Sequence, residues 1–154
     1  MEIADLVSVD GVFADLKASS KKQALQELSG HAAKLTGLHE RAIFDTLLER
    51  ERLGTTGVGV GIAIPHGKLP DLDRLHGLFA RLTTPIDFEA IDDQSVDLIF
   101  LLLAPESAGA DHLKALARVS RLLRDKAVCE KLRGSDSVEA LYMLLTEPAA
   151  SHAA

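Results

Sequence analysis

The chain has 154 residues, of which 47% are apolar and 26% are charged, and its formal net charge is −6 at pH 7. This length favours one domain with a single buried core, and the composition excludes a disordered or fibrous protein. The excess of acidic residues leaves no basic surface for a phosphate backbone, so nucleic acid is not an expected partner.

The cysteine content and the length of the apolar runs indicate in which cellular compartment the protein is expected. Cys129 is the only cysteine, which excludes an internal disulfide and a multi-thiolate zinc site and is typical of a reducing environment. The N-terminus, from Met1 to Asp5, lacks the basic region and long apolar segment of a secretion signal. The longest apolar run, residues 98–104, is far shorter than the ~20 residues that span a bilayer. We therefore expect a cytoplasmic protein with no membrane insertion.

The first third of the chain predicts one strand followed by two helices. Residues 12–16 form a short apolar stretch typical of a strand. Ser19 and Ser20 offer an N-cap for a helix whose apolar period runs to Gly37. A second amphipathic helix is predicted over residues 40–53 and is ended by Gly54.

The middle of the chain predicts a sheet. Glycines at positions 54, 57, 59 and 61 indicate a flexible loop, which leads into a strand over residues 62–64 that stops at His66. Residues 69–73 are predicted as a polar loop, and residues 78–82 as an alternating strand. The nearly all-apolar stretch at residues 96–104 is typical of a central strand covered on both faces, and Pro105 ends it.

The last third predicts three helices, over residues 111–125, residues 126–133 and from a capping box at residues 136–139 to near Thr146. The buried face of the first of these is predicted to carry Leu113, Leu116, Ala117, Ser120 and Leu123. Residues 147–154 show no periodicity and are expected to be a frayed tail. Helices before and after the strands favour one α/β domain over residues 1–146, a three-layer α/β/α fold with a mixed central sheet flanked by helices.

Histidines are the natural candidates for chemistry near neutral pH. His31, His39 and His152 lie among polar residues and are expected at the surface. His66 follows the glycine-rich loop and a strand, between Pro65 and Gly67, where α/β folds gather ligand-binding groups; a turn histidine is the equally weighted alternative. His112 falls in the first turn of a predicted helix, where helix N–H groups favour an anion, although an exposed histidine explains it as well.

An anion at His66 has further candidate ligands. The backbone N–H groups of Gly57, Val58, Gly59, Val60 and Gly61 can approach an anion closely because three of these residues lack a side chain. Arg50 lies in the charged run 49–52, usually a solvated face, but its guanidinium is placed to reach over the glycines. Lys68 is a weaker candidate of the same kind, and Asp111 is expected only to cap its helix.

Other kinds of site fit the sequence less well. His66, His76 and His112 supply three potential zinc ligands, but their spacing matches no known zinc pattern, so no metal is expected. The glycines are not followed by Gly-Lys-Ser or Gly-Lys-Thr and they precede a strand rather than a helix, which disfavours nucleotide binding.

Residues 54–68, GTTGVGVGIAIPHGK, resemble the active-site signature of the enzyme IIA domains of mannitol/fructose type from the bacterial phosphoenolpyruvate-dependent phosphotransferase system. The similarity continues through residues 85–88, residues 96–105 and His112-Leu113, and so covers nearly the whole chain. The segment GIAIPHGKL, residues 61–69, resembles the nitrogen-regulatory branch of the family more than the sugar-specific branches. Thr55 stands where a serine is usual, and Ser95 stands where a proline often precedes the valine.

The resemblance implies a mechanism and partners. It implies that His66 is phosphorylated on the far ring nitrogen by a histidine phosphocarrier protein, with His112 and Arg50 as the second active-site histidine and the arginine. It implies no cofactor, and an apolar docking surface of Val58, Val60 and Leu69 around His66 would suit a transient interface. In the nitrogen-regulatory branch, the phosphorylation state determines which target proteins are bound. The alternatives are a sugar carrier that passes the group to a separate IIB protein and, more weakly, a small hydrolase using His66 and His112.

Overall fold

In a computed structural model, which describes residues 1–147, six strands form one mixed sheet with helices on both faces. The strands are β1 (Val12–Leu16), β2 (Gly57–Gly59), β3 (Ile62–Ala63), β4 (His66–Leu69), β5 (His76–Ile86) and β6 (Val96–Pro105). The helices are α1 (Lys21–Thr36), α2 (Glu40–Arg52), α3 (Ala110–Leu123), α4 (Lys126–Arg133) and α5 (Val138–Thr146). The predicted three-layer α/β/α class is confirmed.

Strand β6 lies at the centre of the sheet. The strand order is β1-β5-β6-β3-β2, and β4 also pairs with β6 beyond the end of β3. β5 is antiparallel to β6, whereas β3 and β4 are both parallel to it. Alternate side chains of β6 enter two separate cores, as strand geometry requires: Ile99, Leu101 and Leu103 pack under α1 and α2, and Leu98, Phe100 and Leu102 pack under α3, α4 and α5.

The predicted helix ends agree with the observed caps. Ser20 accepts a hydrogen bond from the backbone N–H of Gln23 at the start of α1, and Gly37 ends that helix with a φ of 76°. The last helix starts one residue later than the predicted capping box implies, because Ser137 is the N-cap and accepts from the backbone N–H of Ala140. No helix among residues 1–147 is long and apolar enough to cross a bilayer.

The segment around His66 differs from its prediction. His66 does not end a strand; it begins β4, which runs to Leu69 where a polar loop was predicted. The register pairs His66 with Leu102 and Leu69 with Pro105, and Leu69 is buried. The long β6 has room for two short parallel strands in succession, β3 and then β4, which the apolar pattern of residues 62–64 does not reveal.

The buried face of α3 was predicted only in part: Leu123 is buried and Leu116 packs against the core, but the other predicted residues do not form the buried face. Leu113 is 69% exposed and Ala117 is exposed, whereas the residues that face the sheet are His112, Ala115, Val119, Leu122 and Leu123. Both sets follow helical spacing, and the observed one was missed because it begins with a polar residue. Of the predicted tail, residues 148–154 lie outside the described residues.

The contact between α2 and β4 is close enough to test. A Cβ atom on Gly67 would lie 2.7 Å from Cγ2 of Thr46 on α2, so we expect Gly67→Ala to lower the free energy of unfolding by about 1–3 kcal/mol. Thr46→Ser removes Cγ2 but keeps the hydroxyl that donates to the Ala42 carbonyl, so it should relieve the clash. Urea unfolding of the two single variants and the double variant measures the coupling. Strictly additive losses would contradict close packing at this point.

Candidate functional site

Two of the candidate histidines meet at the end of helix α2. The imidazole rings of His66 on β4 and His112 in the first turn of α3 lie 5.7 Å apart between centroids and are tilted by 65°. They line an open concavity of about 600 Å³ together with side chains from α2 and the residues after it, among them Arg50 and Leu53. Three elements that are distant in sequence therefore converge on His66.

The hydrogen bond of His66 determines which of its nitrogens can react. Nδ1 lies 2.9 Å from the backbone carbonyl oxygen of Ile64. A carbonyl can only accept, so Nδ1 carries the proton and donates it to this bond. In the neutral ring, Nε2 then carries the free lone pair. The site thus holds an imidazole whose far nitrogen is a nucleophile.

The surroundings of His66 keep its ring neutral. Burial lowers the pKa of His66, and the positive charge of Arg50 lowers it further, while the Ile64 carbonyl and the carboxylate of Glu51 act in the opposite direction. The net shift is downward. At neutral pH the ring is therefore predominantly unprotonated and able to attack an electrophile.

His112 carries an unused polar atom. The residue is only 8% exposed, and its Nε2 has no hydrogen-bond partner among residues 1–147. Its pKa is lowered first by burial, then by the charge that His66 carries when protonated, and then by the positive charge of Lys68. A buried nitrogen without a partner costs free energy, so a site that retains one has a use for it. As a neutral imidazole the residue carries one N–H, and it lines the same concavity as His66.

Arg50 brings the principal positive charge. Its Nη1 donates to the carbonyl of Gly54 at 2.8 Å, which leaves other guanidinium N–H groups to face the concavity. The surrounding charged run is not uniformly solvated as predicted: Glu49 and Arg52 are exposed and Arg50 is half-buried, but Glu51 is buried and pairs with Lys21 at 2.9 Å. Lys68, two residues after His66 on the same face of β4, is exposed and lines the same concavity.

The backbone N–H groups of residues 57–61, which were predicted to approach an anion at His66, lie away from that ring. These residues form a β-hairpin with β3 that extends away from His66: Ile62 pairs with Leu98, four residues before Leu102 on β6, or about 13 Å at the rise of a strand. The N–H of Val60 donates to Asp92 at 2.9 Å, and its carbonyl accepts from Arg133 at 2.7 Å. The placement differs from the prediction because the glycines permit strand pairing and a tight turn, rather than a loop folded over the histidine.

The other residues predicted for the site do not all lie near His66. His76 pairs with Leu103 on the other side of β6 and lines a different concavity, so the structure does not bring it to His66 and His112. Among residues 1–147 no group of three His, Cys, Asp or Glu side chains is arranged to hold a metal ion. Of the predicted apolar docking residues, Val58 and Val60 are exposed on the hairpin but Leu69 is buried. The exposed apolar side chain beside His66 is instead Leu53, at 86% exposure, which the prediction missed because it follows a charged run.

Comparisons with known proteins identify the family and support the fold. Residues 5–147 match the family described as "Phosphoenolpyruvate-dependent sugar phosphotransferase system, EIIA 2". A nitrogen regulatory protein of Bradyrhizobium diazoefficiens is 61% identical over 153 residues, covering 99% of this chain and 100% of that protein. The nitrogen regulatory protein IIA-Ntr of Neisseria meningitidis has the same fold, with a TM-score of 0.89, 33% identity, and coverage of 94% of this chain and 99% of that one.

A more distant structure shares the fold alone. Enzyme IIA for mannitol from Escherichia coli, solved in complex with phosphorylated enzyme IIB, superposes with a TM-score of 0.79 at 22% identity, covering 93% of this chain and 100% of that one. The family match spans nearly the whole of the described structure, and relatives well above 30% identity match over nearly their full length. The chain belongs to the type 2 EIIA family of the phosphoenolpyruvate-dependent sugar phosphotransferase system.

Proposed function

We propose that His66 accepts a phosphoryl group on Nε2 from a histidine phosphocarrier protein, and that the phosphorylation state of the chain regulates the proteins it binds. The observation that carries the proposal is the bond from Nδ1 of His66 to the Ile64 carbonyl, which leaves Nε2 as the free nucleophile beside His112 and Arg50. No metal or cofactor takes part. The protein works in the cytoplasm, where its single thiol stays reduced.

Transfer needs no general base in this geometry. The Nε2 lone pair of His66 attacks phosphorus, the new P–N bond forms as the donor's P–N bond breaks, and the donor imidazole leaves with the electron pair. The ring of His66 gains positive character as the bond forms, and the Ile64 carbonyl stabilises it by accepting from Nδ1–H. Arg50 and the N–H of His112 meet the negative charge on the phosphoryl oxygens.

A regulatory output follows from the charge that the phosphoryl group adds. The rim of the concavity contains three cationic side chains, Arg50, Arg52 and Lys68, and the exposed Leu53. Glu49 lies on the same rim, so the formal charge of the rim is about +2. A phosphoryl group brings about −1.5 to −2 charges at pH 7, so it cancels most or all of this positive charge and changes which partners fit the surface. The relatives named nitrogen regulatory protein, at 61% and 33% identity over nearly the whole chain, favour this output.

The second candidate is a carrier that passes the group to a separate IIB protein. The mannitol protein that shares this fold was solved in complex with phosphorylated IIB, so that protein has a IIB partner. At 22% identity this likeness carries less weight than the nitrogen regulatory relatives. Transfer of label from the phosphorylated chain to a IIB protein would favour the carrier over the regulator.

Intact mass tests the acceptor. After incubation with phosphoenolpyruvate, enzyme I and a histidine phosphocarrier, we expect the parent to gain one acid-labile phosphoryl group and His66→Ala to gain none. His39→Asn is the matched control, because His39 is exposed and caps α2, and asparagine keeps the cap. Equal phosphorylation of parent and His66→Ala would overturn the proposal. Turnover of a small ester without a protein donor would support the hydrolase alternative.

Arg50 has two effects that can be separated. Its charge lowers the pKa of His66, so Arg50→Gln should raise that pKa, and the rate, which rises with pH as the neutral ring appears, should reach its plateau at higher pH. The plateau itself should fall about 100-fold, because a charge-assisted donor to the phosphoryl group is lost. NMR titration of His66 and rapid-quench transfer rates measure the two effects. A pKa that moves downward in this variant would contradict the assigned electrostatics.

Replacing His112 should slow phosphoryl transfer but increase the stability of the fold. His112→Leu replaces a buried nitrogen without a partner by an apolar side chain, so the free energy of unfolding should rise by about 1 kcal/mol. The same change removes a donor to the phosphoryl group and should slow transfer about 100-fold. Urea unfolding and transfer rates on one preparation test both effects. A variant that transfers at the parental rate would remove His112 from the mechanism.

A further inference from the structure

We propose that Glu51 is a positioning residue that acts through Thr56 to hold His66 in its transferring tautomer and Arg50 beside it. The inference rests on the proposed function, since it assigns a part in the same phosphoryl transfer. Glu51 is not exposed to a donor protein, because only 3% of its side chain is accessible. Apart from the direct effect of its charge on the pKa of His66, its influence on the site therefore passes through other residues.

Glu51 is a buried charge with a specific set of partners. Nζ of Lys21, on the first turn of α1, lies 2.9 Å from Oε1, and that lysine is itself 14% exposed and sits 4.9 Å over the ring of Phe88. Burying two charges is costly unless they pair and their remaining hydrogen-bonding capacity is satisfied. Here the remaining capacity of the carboxylate is used by one residue, Thr56.

A continuous run of hydrogen bonds leads from Glu51 to the reactive ring. The backbone N–H of Thr56 donates to Oε1 of Glu51 at 2.9 Å, and the hydroxyl of Thr56 donates to Oε2. The carbonyl of Thr56 accepts from the N–H of Ile64 at 3.0 Å. The carbonyl of Ile64 accepts from Nδ1–H of His66 at 2.9 Å. Glu51 thus fixes the strand segment whose carbonyl selects the tautomer of His66.

The same carboxylate fixes the loop that holds Arg50. Residues 53–56 form a short connection between α2 and the hairpin, and Glu51, in the last turn of α2, is bonded to its far end through Thr56. The carbonyl that accepts from Arg50 belongs to Gly54, whose own N–H donates to the Glu51 carbonyl at 3.1 Å. Loss of the Thr56 anchor therefore loosens the nucleophile and the guanidinium together.

A positioning role predicts effects that a contact with the donor does not. Because Glu51 and Thr56 are buried, their variants should leave the KM for the donor unchanged and lower the maximal transfer rate. They should also change the population of the Nδ1–H tautomer of His66 in the protein alone. This second readout needs no phosphoryl donor.

The experiment compares Thr56→Val with Thr56→Ser, alongside Glu51→Gln. Valine keeps the shape of threonine without the hydroxyl, and serine keeps the hydroxyl without the methyl. Long-range ¹H–¹⁵N spectra above the pKa of His66 should show the Nδ1–H tautomer in the parent and Thr56→Ser, and a mixture of tautomers in Thr56→Val and Glu51→Gln. Maximal transfer rates should fall about tenfold in the latter two and recover in Thr56→Ser.

The control is a variant of similar stability loss away from the site. Leu145 on α5 is 1% exposed in the other core, so Leu145→Ala lowers stability without touching this network. Parental tautomer and rate in Thr56→Val would overturn the inference, as would an equal rate loss in Leu145→Ala at matched stability. If Glu51→Gln does not fold, the two Thr56 variants decide the question. A parent that accepts no phosphoryl group defeats the proposed function, while the tautomer comparison still decides the role of Glu51.

Discussion

Backbone pairing along β6 is the constraint on which the other parts of the molecule depend. One edge of this strand is occupied by the long antiparallel β5, and the other by two short parallel strands, β3 and β4, placed end to end. The second of these begins with His66, so the position of the reactive ring is set by its register opposite Leu102. The helices then pack on a sheet whose register is already determined, and α2 and α3 bring Arg50 and His112 to the same point.

The electrostatics of the site follow from partial burial beside fixed cations. Both histidines are held below their ordinary pKa chiefly by burial, and Arg50 adds to the effect at His66. A neutral nucleophile and a neutral N–H donor next to a permanent cation suit an incoming group that carries negative charge. The opposing pull of Glu51 is the smallest of the four effects on the pKa of His66, and its carboxylate is itself paired with Lys21 and bonded to Thr56.

Local patterns predicted most of the fold and placed His66, His112 and Arg50 among the candidates, but the family resemblance was needed to select these three residues. Ser20 is a typical N-cap, Gly37 a typical C-terminal breaker, and the apolar run of β6 a typical buried strand. The elements that contain them could therefore be predicted within a residue or two. The pairing of β4 and the hairpin at residues 57–61 could not, because short glycine-rich strands are determined by the strand they pair with rather than by their own sequence. Part of the buried face of α3 was misassigned for a related reason. His112 is a polar residue, yet it lies on the core side of the helix, where it lines the concavity with His66. Glu51 looked like one charge in a solvated run, and only its distance to Lys21 shows otherwise.

The close approach of Thr46 to Gly67 limits how other proteins can detect a group bound at His66. Because a Cβ atom on Gly67 would lie 2.7 Å from Cγ2 of Thr46, the helix that carries Arg50 sits directly against the strand that carries His66 and has no room to slide inward. Under the proposed function, a phosphoryl group on His66 can be recognised by another protein only where that group is exposed. Proteins that respond to it would then compete with the donor for one surface, so that receiving the group and reporting it exclude each other in time.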